Sequence, residues 1–347
     1  MRHALLPVLV LLGVLLGGCS NDETVFHTRF FALGTLIEIS IYGADPILAA
    51  RASEQLEQDL LTLQKSWHAW QPGALSDINE QLATLQVFTP DPDMLPLLQE
   101  AHRLSKLSQG LFNPVIGQLI AQWGFHDNPL PIGTLPDSDS IAALVAQAPT
   151  VEDISLTDTQ LATRNPAVRY DLGAFAKGYA IDRAIEKLRE FGIENAIINA
   201  GGDLRAIGQH GDRPWRIGIR QPRKSGILAS IEIDGDTSVF TSGDYERFFE
   251  VDGKRYHHII DPRSGYPADR TISVTVVHDN AATADAAATA LFVAGPESWV
   301  EIARSMHIGL VMLIDSNGVI HMNPAMQSRI HFEPESTAEI KLSEPLS

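Results

Sequence analysis

Cysteine and positive charge are both scarce in this sequence. The 347 residues include one cysteine, Cys19, so the chain cannot form an internal disulfide. Lysine and arginine number 26 against 43 aspartates and glutamates, which gives a formal net charge of −17. We expect no nucleic-acid partner, because contact with a phosphate backbone needs a basic face. An acidic protein can still bind an anionic small molecule where local cations, helix N-termini or a metal ion supply positive charge.

Uninterrupted apolar runs are also few, and the one at the N-terminus is too short for a permanent transmembrane helix. It covers residues 4–16 and is followed by Gly17-Gly18-Cys19, a pattern typical of a signal peptide. The sequence Leu16-Gly17-Gly18-Cys19 looks like a bacterial lipobox. We therefore expect residues 1–18 to be a lipoprotein signal peptide, Cys19 to carry the lipid, and residues 19–24 to form a tether.

These features predict a protein of the bacterial cell envelope that is lipid-anchored and faces the periplasm. Ser20, the residue after the cysteine, mildly favours the outer membrane over the inner one. The alternative is a simple secretory peptide with an incidental cysteine.

The length of the chain allows one large domain with a proper core. We expect residues 25–328 to form it and residues 329–347 to be a loosely held tail. Residues 168–173, VRYDLG, predict a strand, and residues 174–191 predict a helix with an apolar stripe.

Residues 241–267 combine strand-forming runs with titratable side chains. Asp252-Gly253 favours a type I′ hairpin turn between two of these runs. The second run ends in His257-His258-Ile259-Ile260-Asp261-Pro262-Arg263, so imidazole, carboxylate and guanidinium groups come where a strand gives way to a loop. Such places often carry active sites. The alternative is that the histidines are ordinary strand residues and Asp261-Pro262 only ends the strand.

Three other features leave functional and structural interpretations open. Asp285 and Thr289 lie four residues apart in an alanine-rich helix, so they share one face; they either offer oxygens to a hard cation or belong to a packed helix with a solvated aspartate. Trp67 and Trp70 are core residues or a platform for a flat ring. The glycines of Ala200-Gly201-Gly202-Asp203 permit close approach of a ligand or only make a turn.

Four segments together resemble the ApbE family of FAD:protein FMN transferases. They are DLGAFAKGYAIDRA (171–184), NAGGDLRAIG (199–208), TSGDYERFFEVDGKRYHHIIDPRSG (241–265) and ATADAAATALFVAG (282–295). The segment 241–265 is highly specific for the family, and weaker matches extend the resemblance over about residues 28–325.

The resemblance implies a fold and an activity. Family members have an α+β fold in which mixed and antiparallel sheets and packed helices surround a flavin cleft. They split the pyrophosphate of FAD, attach the FMN half through a phosphoester to a Thr or Ser of an acceptor protein, and release AMP in a Mg²⁺-dependent reaction. Typical acceptors belong to membrane redox complexes.

The resemblance also implies roles for individual residues. Asp285, Thr289 and the backbone carbonyl of Ala174 match the family's Mg²⁺ ligands. Asp171 would contact the flavin or its ribityl part, Lys177 would face the pyrophosphate, and Ile259 would meet the ligand through its backbone. The rest of the FAD pocket is implied for Leu33, Trp70, Leu111, Phe112 and Asn113.

His258 is our candidate general base, because an unperturbed pKa near 6.5 suits removal of a proton from the acceptor hydroxyl. We expect Asp261 to orient it or to support the metal region, and His257 to be structural. Leu33 stands where the family usually has Met, and Asn113 where it often has Asp. Two alternatives to transfer are a periplasmic FAD pyrophosphatase and a lipoprotein that binds FAD without chemistry.

Overall fold

The computed structural model describes residues 25–127, 129–130, 134–334 and 338–346. The expected signal peptide, Cys19 and the tether therefore lie outside the described residues. Across the described ranges, no helix is both long and apolar enough to cross a membrane.

The helices follow the apolar periodicity of the sequence, and several begin at an aspartate or asparagine whose side chain accepts a backbone N–H. Asp45 caps the first helix in this way and Asn280 caps the longest one. The helices are α1 (Pro46–Ser66), α2 (Ala74–Ala83), α3 (Leu95–Leu107), α4 (Gly117–Gln122), α5 (Ser138–Ala146), α6 (Ala176–Glu190), α7 (Ala281–Ser305) and α8 (Pro324–Gln327).

The strands fall into one large sheet and three small ones. In chain order they are β1 (Val25–Ala32), β2 (Thr35–Tyr42), β3 (Ile154–Leu156), β4 (Leu161–Thr163), β5 (Ala196–Ala200), β6 (Asp203–Ile207), β7 (Trp215–Arg220), β8 (Ile227–Ile233), β9 (Thr237–Gly243), β10 (Phe248–Val251), β11 (Lys254–His257), β12 (Thr271–His278), β13 (Leu310–Asp315), β14 (Ile320–Met322), β15 (Ile330–Phe332) and β16 (Ile340–Leu342).

The large sheet has the order β1-β2-β5-β6-β9-β12-β13-β14-β16. Its neighbours pair antiparallel except β14 and β16, which pair parallel. The small sheets are β15-β8-β7, the hairpin β10-β11, and β3-β4. This architecture is α+β, as expected.

The two faces of the large sheet bury different partners. Helices α1, α6 and α7 pack on one face and share a core with β2, β5 and β12. On the other face, β7 and β8 add Trp215, Ile217 and Ile231 to a second core. Strand β12 is buried along both faces because it lies between these layers. The site described below lies where α6, α7, β6 and β9 meet.

Local signals in the sequence are confirmed at two turns. Asp252 and Gly253 both have positive φ, 50° and 75°, as a type I′ turn between β10 and β11 requires. Gly295, with φ of 73°, interrupts α7 just before Pro296, so α7 consists of two helical segments.

The predicted strand over 168–173 is wrong. Arg169 makes a single bridge to Ile116, and the next residue pairs with a side chain instead of a strand. The Asn79 amide accepts from Tyr170 N at 2.7 Å and donates to Tyr170 O at 3.0 Å. This side-chain clamp replaces the strand partner, and it fixes the backbone just before Asp171.

The C-terminal residues are held more firmly than the sequence suggests. Strand β15 pairs with β8, and β16 adds to the free edge of β14. The expectation of a loose tail from residue 329 is therefore wrong for these two strands, because open sheet edges offer backbone groups for them to pair with.

Candidate active site

Three charged side chains from three elements meet beside the large sheet. Lys177 lies in the first turn of α6, Asp203 begins β6, and Asp285 lies in α7. The Lys177 ammonium contacts Asp203 Oδ2 and lies 3.9 Å from Asp285 Oδ1. Although burial alone lowers the pKa of Lys177, the carboxylates of Asp203 and Asp285 raise it above its usual value. The ammonium is therefore charged, and we call these three residues the lysine cluster.

Gly178 brings α6 and α7 into close contact at this cluster. A Cβ atom at Gly178 would lie 2.3 Å from Ala281 O and 2.8 Å from Asp285 Cβ, so no side chain fits there. The Gly178 N–H donates to Asp285 Oδ2 at 2.9 Å. Gly178 is the third residue of α6, so its N–H is one of those at a helix start that have no partner within the helix, and Asp285 supplies one.

The Ala174 carbonyl, which lies just before α6, has no hydrogen-bond donor among the described residues. Thr289 lies one turn after Asp285, and its Oγ1 is 3.3 Å from Ser242 Oγ of β9. A carboxylate oxygen, a hydroxyl and an unpaired carbonyl suit Mg²⁺, which takes oxygen ligands and usually keeps water or phosphate oxygens as well. These three oxygen ligands therefore fit the Mg²⁺ ion that the family resemblance implies.

Asp285 is buried, which excludes a solvated aspartate on a merely packed helix. Burial raises the pKa of its carboxyl to about 6, and the Lys177 ammonium opposes this rise. Within the described ranges, no group of three or more His, Cys, Asp or Glu side chains could hold a metal ion. A metal site that included Asp285 would thus need the Thr289 hydroxyl, the Ala174 carbonyl and oxygens of a substrate as further ligands.

The two adjacent histidines lie on opposite sides of the chain at the end of β11. His257 is buried, and its Nε2 donates to Ala268 O at 2.8 Å while its Nδ1 accepts from Ile259 N at 3.3 Å. Both ring nitrogens are thus used, which supports the structural role expected for His257.

His258 retains a nitrogen that can accept a proton. Its Nδ1 donates to the Arg247 carbonyl at 3.2 Å, so Nδ1 carries the proton and Nε2 is left as the base. Burial, helped by the neighbouring His257, lowers the pKa of His258 to about 4, although the hydrogen bond to the Arg247 carbonyl opposes this shift. The imidazole is therefore neutral at neutral pH.

Two other residues of this segment, Asp261 and Ile259, are held by neighbouring groups. The Asp261 carboxylate is held by the Arg263 guanidinium at 2.7 Å and by Arg263 N at 2.9 Å. It makes no hydrogen bond to His258 among the described residues, so it does not orient that ring. The backbone groups of Ile259 are also occupied, because Ile259 N donates to His257 and Ile259 O accepts from Ala268 N at 3.0 Å.

Trp70 and Asp171, both implied for the flavin pocket, are directly connected. Trp70 Nε1 donates to Asp171 Oδ2 at 2.9 Å. The Trp70 ring also contacts the Arg169 guanidinium, at 4.3 Å, and the His126 ring, with centroids 4.3 Å apart. A flavin that stacks on Trp70 must displace or share these contacts.

The remaining predicted pocket residues differ in exposure. Leu33 is partly buried with φ of 54°, and its N–H donates to Gln64 Oε1 at 2.5 Å. Leu111 and Phe112 are buried in the core. Asn113 donates to Pro149 O at 2.8 Å and accepts from Val115 N at 3.1 Å, so its amide fixes the local loop.

A separate cavity of about 530 Å³ lies on the His257 side of the hairpin. Its described lining includes Arg223, Arg255 and Asp244, and Arg223 holds Asp244 through two hydrogen bonds of 2.6 and 2.5 Å. Asp261 lines this cavity, whereas His258 and Asp285 do not. The segment 241–267 thus borders this cavity and also carries His258, which lies outside it.

Sequence reasoning missed Asp203 and Ser242 as members of the site. Asp203 follows the paired glycines, and its Oδ1 accepts from Thr241 N at 2.7 Å. The signal was the polar residue immediately after Gly201-Gly202, but only the sheet order shows that β6 pairs with β9 and lies beside α6.

The fold and this oxygen-rich site between two helices define a class of proteins. The sequence model of the ApbE family matches residues 33–314, and the chain therefore belongs to the ApbE family.

Named relatives and solved structures agree with this membership. A protein of Rhodobacter capsulatus named FAD:protein FMN transferase is 41% identical over 301 residues, which cover 87% of this chain and 57% of that protein. This chain thus spans little more than half of that relative. A Klebsiella pneumoniae protein of the same name is 33% identical over 324 residues, with 90% and 96% covered.

Among solved structures, the ApbE protein of Thermotoga maritima matches with a TM-score of 0.80 and 30% identity, covering 88% of this chain and 99% of that one. The flavin transferase ApbE of Vibrio cholerae matches with a TM-score of 0.76 and 28% identity, covering 88% and 99%.

Proposed function

We propose that this protein is a Mg²⁺-dependent flavinyltransferase that moves FMN from FAD to a Thr or Ser hydroxyl of an acceptor protein and releases AMP. The observation that carries the proposal is the arrangement at the start of α6, where Asp285 accepts from Gly178 N and the Ala174 carbonyl has no hydrogen-bond donor among the described residues. Asp285, Thr289 and this carbonyl would hold Mg²⁺ against the pyrophosphate. The ion, when bound, neutralises charge that develops on the transferring phosphoryl group.

The protein's own residues position the substrate and move one proton. Lys177 supplies a fixed positive charge beside the predicted metal ligands, where the pyrophosphate would lie. The acceptor oxygen attacks the FMN phosphorus, the bond from that phosphorus to the bridging oxygen breaks, and AMP leaves with that oxygen. His258 Nε2 takes the proton of the acceptor hydroxyl, because Nδ1 is committed to Arg247 O.

The flavin end would be held by Asp171 and Trp70, whose mutual hydrogen bond fixes both side chains. Leu33 has a left-handed backbone conformation in the turn between β1 and β2. The core residues Leu111 and Phe112 would pack beneath the flavin pocket, and Asn113 would hold the loop that follows them.

One assay separates transfer from the two alternatives. The protein starting after Cys19 is incubated with FAD, Mg²⁺ and a purified acceptor domain carrying a candidate Thr. Transfer gives an acceptor that stays fluorescent after denaturing electrophoresis, with one AMP per flavin attached. Free FMN and AMP without labelled acceptor would show a pyrophosphatase, and unchanged FAD would show binding alone.

We further propose that the protein acts at the cell envelope, anchored through Cys19 and facing the periplasm, on subunits of membrane redox complexes. The support is the lipobox sequence Leu16-Gly17-Gly18-Cys19. Cys19→Ser should release the protein from the membrane fraction while leaving its activity in solution intact. Membrane association that survives this change would contradict the anchor.

A further inference from the structure

The position of the Lys177 ammonium raises a specific difficulty for a metal site. A lysine 3.9 Å from Asp285 Oδ1 is a direct competitor of any cation that needs the same carboxylate. Yet the ammonium does not rest on Asp285, because its shorter contact is with Asp203 Oδ2. A group in the protein therefore holds the Lys177 ammonium away from Asp285, where the metal cation would bind.

Asp203 has the contacts needed to do this. Its Oδ1 accepts from Thr241 N at 2.7 Å, which fixes the carboxylate against β9. Its Oδ2 faces Lys177, and the side chain is buried, so water cannot readily replace the pairing. One carboxylate oxygen of Asp203 is therefore bound to the backbone of β9, and the other pairs with Lys177.

Asp285 divides its two oxygens differently. Its Oδ2 accepts from Gly178 N at 2.9 Å, whereas Oδ1 has the longer approach to Lys177 as its only charged neighbour within 4 Å among the described residues. Because Asp203 takes the lysine, Oδ1 of Asp285 stays available to a metal ion.

We infer that Asp203 is a positioning residue that holds Lys177 away from Asp285, so that a divalent cation and the lysine can be present together at the pyrophosphate. This inference rests on the metal site of the proposed function. Neutralising Asp203 leaves Asp285 as the nearest carboxylate for Lys177, and the lysine then competes with the metal.

The test measures metal binding rather than turnover. Mg²⁺ is titrated at saturating FAD without acceptor protein, and the rise in melting temperature gives the midpoint. We expect Asp203→Asn, which keeps an acceptor for Thr241 N, to raise this midpoint roughly tenfold, within the range for coupled neighbours. Asp203→Glu, which keeps the charge, should stay much closer to the wild type.

A double variant separates positioning from a general structural effect. With Lys177→Met added to Asp203→Asn, no competitor remains, and the Mg²⁺ midpoint should return most of the way to the wild-type value. If the double variant binds Mg²⁺ as weakly as Asp203→Asn, or if Asp203→Asn leaves the midpoint unchanged, the inference is wrong. Asp315→Asn is the matched control, because Asp315 is a buried aspartate paired with His321 at the end of β13.

The wild-type protein provides a test that needs no variant to fold. In a crystal structure with FAD and Mg²⁺, Lys177 should remain on Asp203 while the metal contacts Asp285. A lysine that leaves Asp203 on metal binding would overturn the inference. If Asp285→Ala keeps the full Mg²⁺ response, the proposed metal site itself fails; if it loses that response while Asp203→Asn does not change it, only the role of Asp203 fails.

Discussion

Two buried charge clusters lie side by side on the same elements, and they differ in how completely their groups are used. In the first, Asp182 of α6 accepts from Ala281 N and Ala282 N at 2.8 and 2.9 Å, and it also pairs with Arg205 of β6. Arg205 is in turn held by Asp236 through two hydrogen bonds of 2.8 Å. This arginine cluster caps the N-terminus of α7 and leaves no group open.

The lysine cluster is built on the same helices and strand but leaves oxygens open. Asp203 precedes Arg205 by two residues, and Asp285 follows the capped end of α7 by one turn. Asp285 Oδ1 and the Ala174 carbonyl both lack a close donor among the described residues. The same secondary structure thus carries one network whose groups are paired and a second network whose oxygens are available to the proposed ligand.

The largest effect should come from removing the negative charge of Asp285 in the lysine cluster. We expect Asp285→Ala to reduce flavin transfer by roughly 10³-fold or more, because a catalytic metal contributes several kcal/mol to transition-state stabilisation. Transfer is measured as labelled acceptor at saturating FAD and Mg²⁺.

Asp285→Asn is the matched variant, since it keeps an acceptor for Gly178 N. It should also be inactive while unfolding at nearly the wild-type temperature. Full activity in either variant would show that Asp285 does not hold the metal.

The adjacent histidines allow a second contrast between chemistry and structure. His258→Ala should reduce the transfer rate by about 10²–10⁴-fold with FAD still bound, as expected for loss of a general base. His257→Ala should instead lower the melting temperature, because His257 joins Ala268 O to Ile259 N. Rates and melting curves of the two variants, measured together, test this. Wild-type transfer in His258→Ala would refute the assignment of the base.

A substitution in the arginine cluster should lower stability and leave activity nearly unchanged, whereas one in the lysine cluster should do the reverse. Asp182→Ala leaves two α7 amides and the buried Arg205 without their partner, so we expect a loss of roughly 3 kcal/mol in the free energy of unfolding. Activity per folded molecule should change little at low temperature. Denaturant unfolding measures the loss, and Asp59→Ala, which removes a hydrogen bond with Gln55 within α1, is the control. A stable but inactive Asp182→Ala would contradict the division into two clusters.

The smallest effect concerns the shape of the pH profile. Because the pKa of His258 is lowered to about 4, the imidazole stays unprotonated as the pH falls from 8 towards 5. We therefore expect His258 to cause no loss of rate near its ordinary pKa of about 6.5, and to lose its function only as the pH approaches 4. Pre-steady-state transfer rates across this range check the expectation. A limb near 6.5 that disappears in His258→Ala would show an unperturbed histidine.

Local sequence patterns were sufficient to predict the features that depend on residues close together in the chain. The hairpin at Asp252-Gly253, the helix carrying Asp285 and Thr289, and the break at Gly295 follow from turn chemistry and periodicity. Family resemblance added Ala174, whose backbone role no side-chain pattern can indicate. The contact between Gly178 and Asp285, which are more than a hundred residues apart in the chain, could not be predicted from local patterns.

The failures have the same physical cause. In place of the strand expected over 168–173, the chain bonds residues 114–117 on one side and the Asn79 side chain on the other. The Asp261 carboxylate is held by Arg263 two residues later, so it does not orient His258. The importance of Asp203 depends on which strand lies next to β6. Each of these outcomes is decided by a partner that periodicity does not reveal.

The close contact at Gly178 has a consequence for the size of ion that the proposed metal site would accept. Steric contact with Ala281 O prevents the helices from approaching further, and the hydrogen bond to Asp285 resists their separation. Ca²⁺ needs ligand distances of about 2.3–2.6 Å, against about 2.0–2.1 Å for Mg²⁺. A redesign for the larger ion would therefore have to begin at the α6–α7 contact, before any ligand is exchanged.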